Sequence, residues 1–341
     1  MGGMITPRIK PSAFWRRQPS ADLFVQEQRQ AELGGFVESL AAMDELIDFG
    51  AVAAQVERAC PRPYRARGGR PPYPTEIMVR LLFLQALYNL SDEDCEYQVL
   101  DRMSFQHFCR LDGALNIPDA RTLWAFKQRL AQGGLGAQAL FDAVSLQLQQ
   151  HGYIPRGGQI VDASIVQAPI TQARKDEREA LNEVEAPEGW SAKRLAHTDR
   201  AARWTKKHGK SFYGYKLHAN LDVRYKLVRR FKVTAANVDD GQTLVDVLDN
   251  SNTGKRLRDG IARRVKPGQD RRQRLQARNK SINRIRARGE HVLAALEQLG
   301  GKVVRAMTLA RNELAIALKC AAYNAKRLVW LMANDPPLAA R

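Results

Sequence analysis

One order of elements in the second half of the 341-residue chain constrains its fold most strongly. Residues 159–166 are apolar enough for a buried strand, and two further strand-like segments, 213–222 and 226–234, are separated by a junction that suits a hairpin. A short helix over residues 242–248 is predicted next, because turn-forming residues precede it and apolar residues recur inside it. Strand, hairpin and helix in this order predict an α/β domain, which we place over residues 151–341.

The first half of the chain carries a different pattern. Residues 1–35 are polar and mixed, which predicts a loosely ordered lead-in, whereas residues 36–150 have the apolar spacing of α-helices. Thr75 is predicted to cap one helix, and Ser91 with Asp94 predicts a capping box at the start of the next. An all-α N-terminal domain is therefore expected ahead of the α/β domain.

One helix of this region is predicted over residues 120–130 and carries cations that could reach DNA. They are Arg121, Lys127 and Arg129. Short helices joined by tight turns are compatible with a helix-turn-helix. A plain helical bundle with solvated cations fits the same pattern equally well, so the sequence leaves both interpretations open.

The charge of the chain indicates its partner more than its fold. The formal net charge is +18 and the sequence pI is near 10.0. This balance favours a phosphate backbone as the partner, although ribosomal-type RNA binding and an anionic membrane surface compete with DNA. No apolar run approaches the roughly 18 residues of a membrane span, and residues 1–10 lack the apolar stretch of a signal peptide. A cytoplasmic protein that faces nucleic acid is expected.

The cysteines do not predict a metal site. Cys60, Cys95, Cys109 and Cys320 are scattered along the chain and form no CxxC pair. Zinc sites in proteins usually show such closely spaced pairs. The four residues are therefore expected to be reduced thiols in the core or at the surface.

Two acids are placed as in metal-dependent sites that cut DNA. Asp162 lies in a short apolar strand segment, and Glu290 lies far downstream in a basic helix. Phosphodiester cleavage needs an activated nucleophile, an in-line leaving group and neutralisation of developing charge, and two magnesium ions about 4 Å apart supply all three. Magnesium prefers oxygen ligands, so three carboxylates are the smallest sensible contribution from the protein.

Each of these acids also has an ordinary interpretation. Asp162 could be a turn residue at the end of a strand. Glu290 could be a helix carboxylate paired with Arg286, which lies one helical turn before it. His291, next to Glu290, is expected to pack or to contact DNA rather than to bind a metal.

Five segments in a fixed order resemble a known family. They are IVDASIVQAP, ARWTKKHGKSFYGYKLHANLD, KLVRRFKVTAANVDD, RIRARGEHVL and AAYNAKRLVWL. Together they are similar to segments of bacterial insertion-sequence transposases of the DDE type. The helical stretch RGGRPPYPTEIMVRLLFLQALYNLSDEDCEYQVL resembles the N-terminal region of the same proteins. The resemblance covers most of residues 35–335, and the joint occurrence of five motifs makes it specific.

The resemblance implies a ribonuclease-H-like mixed sheet in which a first Asp, a second Asp and a Glu hold two divalent metals. Asp162 matches the first Asp and Glu290 matches the Glu, so both are implied to be catalytic residues and ligands of Mg²⁺. Arg286 matches a basic residue of the family, whereas Asn283 and Glu297 stand where it usually has Tyr and Lys. Double-stranded DNA is the implied substrate, and a homodimer is the implied assembly.

The family's second catalytic Asp has no clear match. It ends the fourth strand, but residues 250–275 contain no apolar run of strand length, so the sheet is expected to lack one strand. Asp240 and Asp246 lie before or within the preceding helix, which leaves Asp259 as a weak candidate. A solvated loop acid is the favoured interpretation of Asp259. A charged surface insertion without periodicity is expected over residues 171–210.

Cations accumulate before the helix of Glu290. Residues 255–288 contain 14 Lys or Arg and two Asp, which gives this segment a net charge of +12. A solvated face is the ordinary interpretation of a charge run, but this density favours contacts with phosphates, and DNA binding would then fall steeply with salt. The predicted DNA contacts in and around this tract are Arg271, Arg272, Arg284, Arg286 and Arg288.

Three functions remain in competition. The favoured hypothesis is a transposase that binds the ends of an insertion sequence and whose family catalyses metal-dependent cleavage and strand transfer. It is expected to be degenerate and inactive because its acid triad is incomplete. The alternative is a non-catalytic DNA-binding remnant that binds element ends or represses related elements. An unrelated basic RNA-binding protein is the third hypothesis, which the paired acid motifs disfavour.

Overall fold

The structure is a computed structural model that describes residues 39–62, 71–132, 135–153, 158–169, 174–182, 188–207, 209–249, 260–262 and 272–337. Ser39–Arg341 form one compact unit. Along the described residues of this unit, a series of helices comes first and a four-stranded sheet with further helices follows.

The first half of the described chain forms helices and no strand. These helices are α1 (Ser39–Leu46), α2 (Phe49–Ala59), α3 (Thr75–Tyr88), α4 (Asp92–Asp101), α5 (Met103–Phe108), α6 (Ala120–Ala131) and α7 (Leu135–Gln150). The predicted capping box of α4 is confirmed, because Ser91 and Asp94 each accept a hydrogen bond from the other's backbone amide. The predicted cap at Thr75 is wrong: Pro74 holds the N-cap position, and the Thr75 hydroxyl donates to Glu57.

The second half of the described chain forms the sheet and five helices. Its strands are β1 (Gln159–Gln167), β2 (Arg203–Lys207), β3 (Lys210–Asp222) and β4 (Val228–Ala235). Its helices are α8 (Lys175–Asn182), α9 (Ala192–Ala196), α10 (Asp240–Val247), α11 (Arg272–Gln298) and α12 (Leu309–Asn334). Over the described residues, no helix combines the length and the apolar composition that crossing a membrane requires. The strand β1, the β3–β4 hairpin and the helix α10 follow the predicted order.

The sheet is built around β3. This strand pairs antiparallel with β1 over residues 214–222, with β2 over residues 210–214 and with β4 over residues 215–221. The expected mixed sheet is therefore not seen among these strands, which pair only antiparallel. In the part of the chain that the structure describes, the one isolated parallel bridge joins Gln167, at the end of β1, to Val303.

A single hydrophobic core joins the helices to the sheet. α12 is central to it, since it packs against α7, α3 and β4. Phe141 of α7 meets Phe231 of β4 edge to face, with ring centroids 5.0 Å apart. The buried side-chain amide of Asn324 in α12 accepts from the Val228 amide at 2.9 Å and donates to the Val228 carbonyl at 2.8 Å. These contacts fix the sheet against the helical layer.

The two faces of the sheet carry different helices. Because side chains alternate along a strand, the β1–β3 register puts Asp162 on one face and His218 and Asn220 on the other. α10 covers the second face, where the Asn220 side chain donates to the carbonyl of Val247 at 2.7 Å. α11 contacts the sheet at β1. The two predicted acid-bearing elements, β1 and α11, are therefore neighbours.

The charged segment 171–210 contributes to the interior of the fold. It contains α8, α9 and β2, and it supplies Asp199, which is buried. The carboxylate of Asp199 accepts from the Tyr215 hydroxyl at 2.6 Å, from the Thr308 amide at 3.1 Å and from Asn312 at 3.4 Å. This part of the segment differs from the expected surface insertion, because its buried carboxylate is hydrogen-bonded to the buried side chains of Tyr215 in β3 and Asn312 in α12.

Most of the segment 250–275 lies outside the described residues. Between residues 250 and 271 the structure describes residues 260–262, which are exposed and have no regular secondary structure. Asp259 and Arg271 both fall on residues that the structure does not describe. The expected loss of a strand in this segment therefore stays a prediction.

The four cysteines are free thiols, and all of them are buried. Burial raises the pKa of Cys95 to about 12, and it does the same for Cys320. Thiols with such a high pKa are almost entirely protonated at neutral pH, so they behave as small apolar core residues.

Candidate active site

Asp162 lies in the middle of β1 and is largely buried, with 14% of its side chain exposed. Its Oδ1 atom accepts a hydrogen bond from the backbone amide of Ala163 at 2.9 Å. The same oxygen accepts from Nη2 of Arg286, in α11, at 2.7 Å. The first predicted acid is therefore held in an ion pair by the helix that carries the second.

Gly289 allows α11 to approach β1 closely. A Cβ atom at this position would lie 3.0 Å from Cγ2 of Ile160 and 3.2 Å from Cδ1 of Leu221. Ile160 and Leu221 are register partners on β1 and β3, so the helix rests directly on the sheet at this point. This contact fixes the distance between α11 and β1. It thereby positions Arg286 and Glu290, which precede and follow Gly289, relative to Asp162.

Arg286 is the cation at the centre of the candidate site. Its hydrogen bond to Asp162 and the negative charge of Asp162 raise the pKa of the guanidinium, and the charges of Asp240 and Glu290 raise it further. Three carboxylates thus act electrostatically on one arginine. The expected pairing of Glu290 with Arg286 within the helix is not the dominant interaction, because Asp162 accepts the hydrogen bond instead.

The resemblance implies a divalent-metal site, and the described residues do not complete one. No three His, Cys, Asp or Glu side chains among the described residues are grouped so that they could hold a metal ion. Asp162 is already bound to a guanidinium, and Glu290 is exposed on α11. Two such carboxylates fall short of the three that two hard cations need. The described part of the chain alone therefore does not fit a two-metal centre.

Asp240, at the start of α10, contacts two residues on the face of the sheet opposite Asp162. Its Oδ1 atom accepts from Nζ of Lys216 at 2.9 Å and lies 3.8 Å from Nδ1 of the buried His218. His218 is also hydrogen-bonded to Thr234 and Thr243, both at 3.0 Å, and burial lowers its pKa. This network ties the start of α10 to β3 and β4, which is a structural role for Asp240.

The predicted DNA-contacting cations of α11 are partly exposed in the structure. Arg284, Arg286 and Arg288 are exposed on the helix, and Arg286 also forms the ion pair with Asp162. Arg272 is the first residue of α11. Arg284 and Arg288 lie one helical turn apart, so their exposed guanidinium groups share a surface that suits contacts with phosphates.

The predicted cations of α6 are in different environments. Arg121 is exposed. Lys127 forms an ion pair with Asp92, and Arg129 pairs with Glu57 at 3.5 Å. The latter two residues thus connect α6 to α4 and α2, while Arg121 is available to a partner.

Sequence reasoning missed two features. Asp199 is one acid among many in a charged segment, and no local pattern marks it as buried. A pocket of about 360 Å³ between α3, α6 and α12 was also not predicted. Its cation Arg305 comes from the loop before α12, and its cations Arg311 and Lys319 come from α12 itself. Only the fold shows that they line one pocket together with α3 and α6.

Comparison with known families gives two matches. The family described as Transposase domain (DUF772) matches residues 27–129, which include α1 to α5 and most of α6. The family described as Transposase DDE domain matches residues 154–258, which begin just before β1 and contain Asp162. A comparison with solved structures found no match.

The two matches occur in the order that the sequence motifs indicate. The DDE match implies a ribonuclease-H-like fold, and it covers the four-stranded sheet and α10. The family typically uses a divalent metal and acts on DNA. With a transposase domain over the helical half and a DDE domain over the sheet, the chain belongs to the DDE-type transposases of insertion sequences.

Proposed function

We propose that this transposase chain binds double-stranded DNA at the ends of its insertion sequence without cutting it. The observation that carries this proposal is the ion pair between Asp162 and Arg286 at 2.7 Å. The acid that should hold metal is neutralised by a side chain of the protein itself. A metal ion would have to displace this guanidinium, and it would then find too few carboxylates among the described residues.

The missing third acid supports the same proposal. In a two-metal mechanism each ion needs its own anionic ligands to stabilise the attacking and the leaving oxygens. Asp162 and Glu290 are the two acids that the sequence motifs match, and Asp240 is paired with Lys216, whose side chain belongs to the other face of the sheet. Asp259, the remaining candidate, lies outside the described residues.

The proposed architecture is a ribonuclease-H-like catalytic domain that follows an all-α DNA-binding domain and lacks one strand of its sheet. The described helices of the first half and the antiparallel β1, β3 and β4 support it. The parallel bridge between Gln167 and Val303 lies on the edge of β1 where a further parallel strand would pair. Loss of that strand would remove the position from which the second Asp normally reaches the site.

The proposed DNA-binding surface combines the exposed arginines of α11 with Arg121 of α6. Arg284 and Arg288 are exposed on α11, the helix that packs on β1. Phosphate contacts of this kind give affinity without reading sequence. Recognition of the element ends is assigned to the helical first half, through Arg121.

The test compares DNA binding and DNA cleavage by the same preparation. A duplex that carries the terminal repeat is incubated with the wild-type chain and with Asp162→Asn, in the presence of Mg²⁺ or Mn²⁺. We expect both proteins to shift the duplex in a gel and neither to release a cleaved strand. A scrambled duplex of equal length controls for sequence-independent binding. Cleavage by the wild type that Asp162→Asn abolishes would overturn the proposal.

A second candidate function is an active Mg²⁺-dependent transposase in which Asp259 completes the triad. The observation that favours it is the 53% exposure of the Arg286 side chain, because an exposed guanidinium can leave Asp162 without disturbing the core. In this case Asp259→Ala would abolish cleavage, whereas the surface variant Asp246→Ala would retain it. Persistent absence of cleavage by the wild type would exclude this second function.

Repression of related elements and dimer formation are parts of the proposal that need separate measurements. A DNA-bound chain without cleavage activity would occupy element ends and block an active relative. Co-expression with an active transposase of matching ends should lower its transposition frequency. Light scattering with and without the duplex would determine whether two chains assemble on it.

A further inference from the structure

A pocket lies between the end of α3, one side of α6, the beginning of α12 and the loop before α12. Its volume is about 360 Å³, which falls within the range of about 300–1,000 Å³ typical of ligand sites. The floor is apolar and formed by buried residues, among them Leu82, Leu314 and Leu318. We call it the α12 pocket.

The walls of the α12 pocket are strongly basic. Its described lining contains four cations, Lys127, Arg305, Arg311 and Lys319, and one acid, Asp92. Lys127 is ion-paired with Asp92, so three positive charges remain. Arg311 uses its Nε atom to donate to Gln128 at 2.9 Å, which orients the rest of its guanidinium. Arg305 is exposed; hydrogen bonds from Ser91 lower the pKa of Asp94, which lies outside the pocket lining, and the charge of Arg305 adds to this effect.

Lys319 is held at the inner edge of the pocket. Its Nζ atom donates to Oδ1 of Asn89 at 3.1 Å and to the carbonyl of Leu299 at 2.8 Å. Gly300 makes room for this arrangement, because a Cβ atom there would lie 2.2 Å from Oδ1 of Asn89. Burial and the nearby Arg305 lower the pKa of Lys319 to about 8. An anion between the two cations would relieve their repulsion.

Trp124 provides an aromatic surface at the same pocket. Its side chain is 50% exposed although it lies beside the apolar floor. The guanidinium carbon of Arg311 lies 5.9 Å from the centre of its ring. Exposed aromatic rings next to arginine are typical stacking platforms for nucleobases.

We propose that the α12 pocket binds a nucleotide, with its base against Trp124 and the apolar floor and its phosphate among Arg305, Arg311 and Lys319. An apolar ligand alone would leave three cations without a counterion inside the pocket, and a bare phosphate would leave the aromatic surface and the apolar floor exposed to water. A planar base joined to a phosphate satisfies both parts. This site goes beyond the proposed DNA-binding surface, which does not include these residues.

The pocket is connected to the strand that carries Asp162. The loop before α12 is hydrogen-bonded to the end of β1, since Gln167 donates to the Lys302 carbonyl at 2.7 Å and accepts from the Val304 amide at 2.9 Å. Five residues of strand separate Gln167 from Asp162, a distance of about 17 Å. A nucleotide in the pocket is therefore either a free molecule or the end of a DNA strand that runs along this part of the protein.

The first experiment measures binding of a deoxynucleoside monophosphate to the full chain by calorimetry. Deoxyadenosine monophosphate is compared with deoxyadenosine and with inorganic phosphate. We expect the monophosphate to bind at least about tenfold more tightly than either part, because stacking and a charge-assisted contact each contribute about that factor. Equal binding of nucleoside and monophosphate, or no binding of the monophosphate, would overturn the proposal.

Two substitutions test whether the monophosphate binds in the α12 pocket. Trp124→Ala and Arg305→Gln should each weaken binding of the monophosphate by about tenfold. Lys326→Gln is the matched control, because it removes an exposed cation of α12 that does not line the pocket. Trp124 and Arg305 both reach the surface, so these variants are expected to fold, and their circular dichroism and melting curves should match the wild type. Unchanged affinity in both pocket variants would refute the assignment.

Competition by oligonucleotides identifies the source of the nucleotide. If the pocket takes the end of a strand, a short 5′-phosphorylated oligonucleotide displaces the monophosphate and its unphosphorylated counterpart displaces it less. If the pocket takes a free nucleotide, neither oligonucleotide displaces it, and the pocket proposal still holds. Binding of the element-end duplex is measured on the same Arg305→Gln protein, so failure of the pocket is distinguished from failure of DNA binding.

Discussion

Arg286 shows how one residue can change the chemistry of a site. Its guanidinium forms a charge-assisted hydrogen bond with Asp162, and the surrounding acids raise its pKa, so it stays charged at every physiological pH. Because the side chain of Arg286 is 53% exposed, the pair adds little to stability. In the proposed function it fills the place beside Asp162 that a metal cation would take, and a DNA phosphate would compete with Asp162 for the same guanidinium.

Asp199 is the residue whose removal should cost the most stability. Asp199→Ala would leave the buried Tyr215 hydroxyl and the buried Asn312 amide without their acceptor. We expect the free energy of unfolding to fall by about 3 kcal/mol or more, measured by denaturant unfolding. The control is Asp246→Ala, whose carboxylate is 49% exposed in a pair with Lys232, and which should cost less than about 1 kcal/mol. Equal losses would contradict the buried role of Asp199.

Lys319 should make stability depend on pH in a defined direction. Its pKa in the folded chain is about 8, below the ordinary value of 10.5, so the unfolded chain binds this proton more tightly. The cost of burying the charge is present in full below about pH 8 and disappears as the pH rises toward 10.5. The wild type should therefore gain stability relative to Lys319→Met across this window. Denaturant unfolding of both proteins over this pH range tests it, and a constant difference would contradict it.

At the scale of elements, the sequence correctly predicted the features that depend on contacts between residues close together in the chain. The capping box of α4, the β3–β4 hairpin and the helix α10 each depend on residues close together in the chain. Thr75 does not cap the helix, because its hydroxyl donates a hydrogen bond to Glu57, 18 residues away in the chain. Asp199 was missed for the same reason: its partner Asn312 is 113 residues away. Contacts at such separations leave no pattern in a single sequence.

For the candidate site, the sequence predicted which elements carry the two acids but not which acid pairs with Arg286. The sequence motifs put Asp162 on a strand and Glu290 on a late helix, and the structure has them on β1 and α11. The sequence offered Glu290 as the partner of Arg286, because the two lie one turn apart. In the structure α11 packs on β1, and Arg286 donates its hydrogen bond to Asp162 instead. The close approach of α11 to β1 at Gly289 accompanies this pairing, and it depends on the fold rather than on the local sequence.

The packing of α11 on β1 predicts that Gly289→Val is strongly destabilising. The new side chain would meet Cγ2 of Ile160 and Cδ1 of Leu221, both already within 3.2 Å of a Cβ atom. Overpacking of this kind typically costs about 1–3 kcal/mol. Ala294→Val, at an exposed position of the same helix, loses the helix propensity of Ala and should cost less than about 1 kcal/mol, whereas Gly289→Val gains helix propensity, so that a loss at position 289 reports the close packing. If thermal and denaturant unfolding show equal losses for the two variants, the close contact is not rigid.

At the scale of the whole molecule, the exposed basic surface and the acid site are separate features. The chain has a net charge of +18, and exposed arginines lie along α11, whereas Asp162 is largely enclosed beside β1. Attraction between this positive charge and a phosphate backbone does not require a metal. Under the proposed function, a chain without a third acid can therefore still bind DNA.

This separation predicts a specific dependence of DNA affinity on salt. Each phosphate contact contributes about 0.9 to the slope of log affinity against log salt concentration, so the double variant Arg284→Gln/Arg288→Gln should lower the magnitude of that slope by about 2. The matched control is Lys206→Gln/Lys207→Gln, which removes two exposed charges from β2. Titration of the element-end duplex at several salt concentrations measures both slopes. The same reduction in the two variants would mean that net charge, and not the surface of α11, attracts DNA.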